Sequence, residues 1–159
     1  MKAVVGLGSN EGDRLAALTG AALRLSRAVR VEAASTVYET TPVGGPPQGD
    51  YLNAAVLVEA AMTPLELVDV LLAIEASMGR VRRERWGPRV IDLDLLWAPG
   101  VVMDDPRCTL PHPRLAERAF ALVPLLELVP GAIDPRSGHP YAPLSREGLR
   151  ACADCRLIE

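Results

Sequence analysis

The chain has 159 residues, of which 49% are hydrophobic and 23% are charged, and its formal net charge is −3 at pH 7. This composition excludes a disordered chain and predicts one globular domain over residues 1–159. No apolar run reaches the roughly 18 residues of a membrane span, and the slight negative charge argues against a general binder of nucleic acid or membranes.

The cysteines and the N-terminal segment bear on the cellular compartment. Cys108, Cys152 and Cys155 are odd in number, and the first residues enter an apolar strand pattern without a signal-peptide cleavage region. We therefore expect a cytoplasmic protein without a disulfide framework. Cys152 and Cys155 form a C-x-x-C pair, but zinc needs about four ligands and only His112 and His139 could complete the set. We interpret the pair as two thiols on a tail.

The first third of the chain predicts a strand, a helix and a second strand. Residues 2–9 read as a strand, after which Asn10 is placed to cap a helix with Asp13 in its first turn. Apolar residues recur at helical spacing at Leu15, Leu18, Ala22 and Leu25. Residues 29–40 are rich in β-branched side chains and predict a strand. Six of the ten residues at 41–50 are proline or glycine, so they predict irregular structure.

The middle of the chain predicts a strand and a capped helix. Residues 51–61 alternate in polarity, which places Tyr51 and Asn53 on one face of a strand. The other face carries Leu52, Ala54, Val56 and Val58. Residues 63–66 have the pattern of a capping box with proline at the first helical position, and the helix is expected to end near Gly79.

The remaining elements complete the fold class. We predict a strand at 90–97, a short return strand at 101–103, a buried helix at 120–128 and one short final helix. The order β-α-β-β-α-β indicates an α+β fold, a ferredoxin-like antiparallel sheet with helices packed on it and a mostly helical C-terminal extension.

Two aspartates in the strand predicted at 90–97 are the strongest chemical signal. Asp92 and Asp94 point to the same face of that strand, with their α-carbons about 6.6 Å apart. Carboxylates placed in this way can share a pair of Mg²⁺ ions, which prefer oxygen ligands. A solvated polar face is the alternative, because a bare D-x-D pattern is common.

The ten residues before this strand favour the metal. They include five arginines and one acidic residue, and the planar guanidinium group binds phosphate oxygens in pairs. Trp86 has no obvious core position in so polar a segment, so we expect it to cover or stack on a ligand. Glycines flank most of the segment, and we expect it to act as a lid over bound substrates. The arginines are Arg80, Arg82, Arg83, Arg85 and Arg89.

Common nucleotide-binding and hydrolase motifs are absent from the sequence. There is no P-loop pattern, nucleophile elbow or H-E-x-x-H helix, and Gly6, Gly8 and Gly12 lack the spacing of a dinucleotide fingerprint. We predict that these glycines serve turn geometry.

Several blocks of the chain together resemble those of one known protein family. GRVR at 79–82, RWGPR at 85–89 and IDLDL at 91–95 are similar to the signature of the 6-hydroxymethyl-7,8-dihydropterin pyrophosphokinase family. The resemblance covers about residues 3–130 and includes GLGSN at 6–10, VYET at 37–40, YLNAAV at 51–56, LPHPR at 110–114, RAF at 118–120 and PLLE at 124–127. Members transfer pyrophosphate from ATP to the hydroxymethyl group of a dihydropterin and release AMP, in folate synthesis.

The resemblance implies a role for each matching residue. Asp92 and Asp94 would hold two Mg²⁺ ions, and the catalytic residues would be Arg82, Arg89 and Asp94. The ATP side would comprise Glu75, Arg80, Arg82, Arg83, Trp86, Arg89, Arg107, Thr109, His112 and Arg118. The pterin side would comprise Thr40, Val43, Tyr51, Asn53, Trp86 and Phe120, with the ring between Tyr51 and Phe120. The implied partners are small molecules only, without nucleic acid or membrane, and a monomer is expected.

Individual positions also have structural readings, and the sequence departs from the family at others. Phe120 could be a core residue and His112 a turn residue between prolines. Leu72 stands where some members have a polar residue that faces the nucleotide, and Gly49 replaces a frequent proline. The loop between Arg82 and Trp86 is a residue shorter than in some members, which bears on the role of Arg83. Arg114 has no assignment.

Two other functions remain open from the residues. The first is a sheet that binds single-stranded RNA through its arginines, although such sheets normally present several aromatic side chains and a basic field. The second is a metal-dependent phosphotransferase on the same scaffold with a different acceptor. A test for AMP that forms only in the presence of the pterin separates all three.

Overall fold

The computed structural model describes residues 1–42, 45–79 and 89–158. Its strands are β1 (Lys2–Ser9), β2 (Arg30–Ala34), β3 (Tyr38–Thr40), β4 (Tyr51–Glu59), β5 (Asp92–Trp97), β6 (Met103–Asp105), β7 (Cys108–Leu110) and β8 (Leu149–Ala151). Its helices are α1 (Arg14–Ser26), α2 (Pro64–Ser77), α3 (Ala119–Leu128) and the 3-10 helix Leu115–Glu117.

One antiparallel sheet organises the molecule. Its strands run in the order β5-β1-β4-β3-β8, and β2 also pairs with β4. β6 and β7 form a separate two-stranded hairpin. The long strands β1 and β4 lie in the middle, so side chains near their ends can meet those of β5 on one side and of β3 on the other. The chain is therefore a mixed α/β protein with an antiparallel sheet.

The two faces of the sheet are covered differently. On one face, α1 and α2 bury an aliphatic core that includes Leu7, Leu18, Val56, Leu71 and Leu93. On the other face, α3 packs over a smaller cluster of Val4, Ala55, Leu96, Leu122 and Leu125. Because α3 covers only part of its face, the rest of that sheet surface borders an open cavity. Burial of the apolar side chains is the main force that holds helices and sheet together.

The start of α2 confirms the predicted capping box. The backbone N–H of Glu66 donates to Oγ1 of Thr63 at 3.2 Å, and the N–H of Thr63 donates to Oε1 of Glu66 at 3.2 Å. Pro64 is the first residue of the helix. Capping of this kind contributes about 1 kcal/mol because it satisfies N–H groups that have no partner inside the helix. Gly79 follows the helix with φ of 80°, as the sequence predicts.

The predicted cap of α1 is wrong. Asp13, not Asn10, caps the helix, since its Oδ1 accepts from the N–H of Ala16 at 3.1 Å. Asn10 instead donates from Nδ2 to the carbonyl oxygen of Gly49 at 3.0 Å and accepts at Oδ1 from the N–H of Arg89 at 2.8 Å. The Asn10 amide thus ties β1 to two loops that lie far away in sequence, which local spacing cannot show.

The strand predicted at 29–40 is two strands in the structure. Ser35 interrupts it: its Oγ accepts from the N–H of Ala55 at 2.9 Å and donates to the carbonyl oxygen of Thr36 at 2.8 Å. A register shift between Val31 and Ala33 adds to the irregularity. β3 therefore begins anew at Tyr38, beside β4.

The C-terminal region is less helical than predicted. The return strand is β6, two residues later than expected, and it pairs with β7. The helix predicted at 120–128 is confirmed as α3. Within residues 129–158 the structure contains no helix, so the predicted final helix is wrong, and the chain ends instead with β8 against β3. Residues on an edge strand pair with a distant partner, and short-range periodicity does not reveal that partner.

The interpretation of the tail cysteines as two thiols is also wrong for this structure. Cys152 and Cys155 are joined by a disulfide across the turn that follows β8, with their α-carbons 5.4 Å apart. That separation lies within the range that a disulfide spans, and a cysteine count cannot show it. Cys108 is buried and free, and burial, with a smaller effect of Asp105, raises the pKa of its thiol.

Helix length bears on membrane association. Among the residues that the structure describes, no helix is both long enough and apolar enough to cross a bilayer.

Candidate active site

A cavity of about 820 Å³ opens on the part of the sheet that α3 leaves uncovered. Its floor is formed by β1, β4 and β5, and its walls by residues 112–121, the end of β3 and residues 147–149. The predicted site residues that line it are Thr40, Tyr51, Asn53, Arg89, Asp92, Asp94, His112, Arg118 and Phe120. The structure thus brings together side chains that are up to 80 positions apart in sequence (Thr40 to Phe120).

Two glycines of β1 form the middle of the floor. Gly6 pairs with Asp94 and Gly8 pairs with Asp92 in the register with β5. A Cβ atom on Gly6 would lie 3.1 Å from the side chain of Leu96, and one on Gly8 would lie 2.9 Å from Oδ1 of Asn53. The prediction that these two glycines serve turn geometry is wrong, because both lie inside a strand and leave room above the sheet. Gly12 does adopt a positive φ, of 70°.

Asp92 and Asp94 lie side by side at one end of the cavity. Both are partly exposed and line the cavity, whereas Leu93 and Leu95 point into the core under α2. This alternation confirms the predicted common face of the two carboxylates.

Glu75, on α2, holds the backbone of β5 from the helix-covered side of the sheet. Its side chain is buried, with 5% of its surface exposed, and Oε2 accepts from the backbone N–H of Leu93 at 2.9 Å. Leu93 stands between the two aspartates. Glu75 does not border the cavity among the described residues, so its predicted place beside the nucleotide stays a prediction.

His112 faces the carboxylate pair from the opposite wall. Its N–H donates to the carbonyl oxygen of Leu96 at 2.8 Å, which fixes the backbone next to β5. Nδ1 lies 3.0 Å from the carbonyl oxygen of Pro113. A carbonyl oxygen can only accept, so this contact is a hydrogen bond in the tautomer that carries its proton on Nδ1. Nε2 lies 3.8 Å from Oδ1 of Asp94 and is directed into the cavity.

The predicted cations are distributed unevenly around the site. Arg89 and Arg118 line the cavity, and the guanidinium carbon of Arg118 lies 5.9 Å from the centre of the Phe120 ring. Arg107 lies at the β6–β7 turn, where its side chain approaches Asp69 at 3.5 Å. Thr109 lies on β7. The structure does not bring Arg107 or Thr109 into the cavity, so their roles stay predictions.

The other end of the cavity carries aromatic and amide groups. Nδ2 of Asn53 donates to Oγ1 of Thr40 at 2.7 Å, and both side chains are nearly buried. Tyr51 pairs with Thr40 across the β3–β4 ladder, and Phe120 projects from the first turn of α3. A flat polar ring could lie between the two aromatic side chains with its edge toward the amide.

Some site residues lie outside the described part of the chain, and sequence reasoning missed others. Val43, Arg80, Arg82, Arg83 and Trp86, with the expected lid, are outside the described residues. Side chains that line the cavity without having been predicted include Gln48, Arg114, Glu117, Glu147 and Leu149. Of these residues, only Arg114 lies in a motif that the sequence singled out, LPHPR at 110–114. Arg114 adopts a left-handed backbone conformation with φ of 64°.

Relatives with known names match most of the chain. The model of the family described as 7,8-dihydro-6-hydroxymethylpterin-pyrophosphokinase (HPPK) matches residues 4–130. A protein of Methylorubrum extorquens named 2-amino-4-hydroxy-6-hydroxymethyldihydropteridine pyrophosphokinase is 48% identical over 83% of this chain and 85% of its own length. A protein of the same name from Synechocystis is 46% identical over 98% of this chain and 78% of its own length.

Solved structures agree on the fold. An HPPK-DHPS crystal structure in complex with substrates has a TM-score of 0.64 at 14% identity and matches 88% of this chain and 42% of that one. Wild-type HPPK-DHPS of Plasmodium falciparum has a TM-score of 0.61 at 15% identity and matches 82% of this chain and 38% of that one. This chain therefore spans about two fifths of those longer chains, and the likeness shows the fold alone. By the extent of the family match and the identity to its named relatives, the chain belongs to the 7,8-dihydro-6-hydroxymethylpterin-pyrophosphokinase family.

Proposed function

We propose that the chain transfers the pyrophosphate group of ATP to the hydroxymethyl group of 6-hydroxymethyl-7,8-dihydropterin and releases AMP, as a step of folate biosynthesis. Membership of the family and the names of its relatives support this activity. The observation that carries the proposal is the arrangement of one cavity, which holds a pair of carboxylates at one end and an aromatic and amide set at the other. Such a cavity suits a substrate pair in which a polyphosphate must meet a flat heterocycle.

The carboxylate end fits magnesium. Among the described residues, no group of three or more histidine, cysteine, aspartate or glutamate side chains forms a closed metal cage. Mg²⁺ is commonly bound by one or two carboxylates together with phosphates and water, and Asp92 and Asp94 supply such a pair. We propose that they hold the two Mg²⁺ ions. When bound, these ions neutralise phosphate charge and orient the triphosphate.

The side chains around the carboxylates suit the rest of the triphosphate. Arg89 and Arg118 supply permanent positive charge at the cavity wall, and Arg82 and the other arginines of 80–89 are proposed to add to it. Nε2 of His112 faces the same space and can donate a hydrogen bond to a phosphate oxygen when the ring is protonated. The positive charge of the arginines and of protonated His112 stabilises the transition state most strongly where water is excluded.

The acceptor is held by the opposite end. Tyr51 and Phe120 are proposed to enclose the pterin ring, and the amide of Asn53, fixed by Thr40, to read its polar edge. The pterin hydroxyl then attacks the β-phosphorus while AMP leaves, so no protein nucleophile is needed. Placement of the hydroxyl in line with the bond that breaks supplies much of the rate enhancement.

Three further points belong to the same proposal. The strand order β5-β1-β4-β3 supports a ferredoxin-like arrangement of the sheet. We also propose that residues 1–159 form a single domain and that the enzyme is a monomer. Consumption of ATP in biosynthesis supports a cytoplasmic location.

The test is the nucleotide product. The purified chain is incubated with Mg-ATP, with and without the hydroxymethyl-dihydropterin, and the nucleotides are separated by chromatography. We expect AMP to form only when the pterin is present. Formation of ADP would indicate a phosphotransferase of another kind, and no pterin-dependent product would overturn the proposal. Binding of single-stranded RNA without any nucleotide turnover would favour the RNA-binding alternative.

A further inference from the structure

Three side chains outside the cavity form one hydrogen-bonded cluster, Tyr38, Glu127 and Arg146. The hydroxyl of Tyr38 donates a hydrogen bond to Oε1 of Glu127. The same hydroxyl accepts a hydrogen bond from Nη1 of Arg146 at 3.2 Å. Oε2 of Glu127 accepts from the backbone N–H of Thr36 at 2.9 Å. The Tyr38 side chain is almost fully buried, with 3% of its surface exposed. The tyrosine hydroxyl therefore lies between a carboxylate and a guanidinium group, in a chain of hydrogen bonds that strengthen one another.

Each member of the cluster lies on, or next to, a different segment that lines the cavity. Tyr38 lies on β3, two residues before Thr40, on the same face of the strand. Glu127 lies on α3, whose first turn carries Phe120 about 10 Å further along the helix. Arg146 directly precedes residues 147–149, which line the cavity. The cluster thus links the three elements that surround the aromatic end of the cavity, although none of its members lines the cavity itself.

The register places this link close to the proposed pterin contacts. Tyr38 is the direct partner of Asn53 in the β3–β4 ladder. The amide of Asn53 in turn donates to Thr40 at 2.7 Å. Any shift of β3 relative to α3 would therefore change both the position of the amide and the gap between the sheet and Phe120.

The loss of even one hydrogen bond of the cluster costs free energy. Glu127 is half-buried, and a carboxylate that loses one of its hydrogen bonds in such a place is left incompletely solvated. Burial, and next the hydrogen bond to Glu127, raises the pKa of the Tyr38 hydroxyl. The hydroxyl is consequently a neutral donor throughout the physiological range and can hold the contact continuously.

We propose that Tyr38, Glu127 and Arg146 are positioning residues that fix the spacing between β3, α3 and the C-terminal segment and thereby set the affinity of the dihydropterin end of the cavity. This inference rests on the proposed function. The three residues act through Thr40, Asn53 and Phe120 and do not touch the substrate.

The test is Tyr38→Phe, which removes one hydroxyl and keeps the ring. Steady-state release of AMP gives kcat and the KM of each substrate. Loss of the two hydrogen bonds should raise the KM of the dihydropterin about fivefold to thirtyfold. The KM of Mg-ATP should stay within about twofold, because Asp92 and Asp94 lie on β5, which β1 and β4 separate from β3. Arg146→Ala, at an exposed position with one contact to the cluster, should act in the same direction and more weakly.

Glu39→Gln is the matched control. Glu39 is the neighbour of Tyr38 on β3 but points to the other side, where its carboxylate binds Arg14 at 2.7 Å and Arg150 at 3.2 Å. This variant weakens the attachment of the same strand without touching the cluster. We expect a lower melting temperature and an unchanged KM for the dihydropterin. If Glu39→Gln raised that KM as much as Tyr38→Phe does, the effect would be one of general stability and the positioning role would be wrong.

The outcomes separate this inference from the proposed function. Wild-type protein assayed in parallel tests the function, and the inference falls with it if no pterin-dependent AMP forms. If the wild type is active and Tyr38→Phe and Arg146→Ala leave the KM of the dihydropterin unchanged, the proposed function stands and the positioning role is overturned. If Tyr38→Phe does not fold, Arg146→Ala alone decides.

Discussion

A Cβ atom on Gly8 would lie 2.9 Å from Oδ1 of Asn53, its direct partner across the β1–β4 ladder. Real Cβ atoms do not approach an oxygen so closely without a shift of one of them. The amide of Asn53 is also bonded to Thr40 at 2.7 Å, so it cannot move away without the loss of that hydrogen bond. The observed position of the Asn53 amide therefore requires that residue 8 have no side chain. We propose that this amide hydrogen-bonds the pterin.

Gly8→Ala is the first prediction that follows. The added methyl group should displace the Asn53 amide and raise the KM of the dihydropterin by about tenfold, a cost comparable to one lost hydrogen bond with a group left unpaired. The KM of Mg-ATP should change much less. Steady-state kinetics with each substrate varied in turn measure both values.

Gly20→Ala is the control for this substitution. Gly20 lies within α1, and a Cβ there would meet only the side chains of Arg24 at 3.2 Å and Met78 at 3.6 Å. Both are long and can move. Alanine should therefore stabilise the helix by about 0.5–1 kcal/mol and leave both KM values unchanged. Equal kinetic effects at Gly8 and Gly20 would mean that the close contact with Asn53 is irrelevant to binding.

The second prediction concerns the carboxylate pair. Asp94→Asn should lower turnover by about a hundredfold or more, because the charge of the triphosphate would be left incompletely neutralised in the transition state. The fold should remain, since the side chain is on the cavity side of β5 and Leu93 and Leu95 fill the core. Circular dichroism and the rate of AMP release check the two statements. Asp104→Asn, an exposed carboxylate on β6 that binds Arg136, should keep full turnover.

A folded Asp94→Asn protein with nearly normal turnover would contradict the metal assignment. The solvated polar face, which the sequence left open, would then be the correct interpretation of the two aspartates.

The third prediction separates the two ends of the cavity. Phe120→Ala should weaken binding of the dihydropterin by about 0.5–1.5 kcal/mol for the lost aromatic contact, plus the lost burial. Binding of a non-hydrolysable ATP analogue should hardly change. Isothermal titration calorimetry with each ligand gives the two dissociation constants. Loss of nucleotide binding with intact pterin binding would show that the two ends are assigned in reverse.

Two pairs of site residues could be predicted because they follow the two-residue period of a strand, whereas most of the other site residues came from the family resemblance. The alternation in β4 placed Tyr51 and Asn53 together, and the alternation in β5 placed Asp92 and Asp94 together. Both pairs line the same cavity. A local period is sufficient here, because side chains two apart on a strand share a face whatever the rest of the fold does.

The parts that could not be predicted depend on contacts between distant segments. Residues 147–149 enter the cavity wall only because β8 pairs with β3, more than 100 residues away. The role of Asn10 depends likewise on two loops that meet beside it. Gly8 is a third example: its sequence neighbours indicate a turn, whereas its partners on β4 and β5 explain why it is glycine.

The fourth prediction concerns stability in alkali. Burial, with a smaller effect of Asp134, raises the pKa of Tyr141 from 10.0 to about 12. The folded protein therefore favours the neutral phenol, and this contribution to stability is complete below the unfolded pKa and is lost as the pH rises from 10.0 to about 12. Urea unfolding at a series of pH values should show the free energy of unfolding falling across that window.

Tyr141→Phe tests the source of this effect. The hydroxyl of Tyr141 has no hydrogen-bond partner among the described residues, so its removal should leave the stability at neutral pH unchanged or slightly higher. The fall of the free energy of unfolding in alkali should become shallower, with the remainder due to other tyrosines such as Tyr38. An identical alkaline fall in the variant would mean that Tyr141 does not titrate in this window.

The most direct measurement of the central claim is the fate of the two terminal phosphates of ATP. Mass spectrometry of the pterin after incubation with Mg-ATP reports how many phosphate units it has gained, and chromatography reports the nucleotide released. We predict a pterin that carries two phosphate units, formed in equal amount with AMP, and both products formed about a hundredfold more slowly, or slower still, with Asp94→Asn. A pterin with a single phosphate formed together with ADP, or an unmodified pterin, would contradict the account.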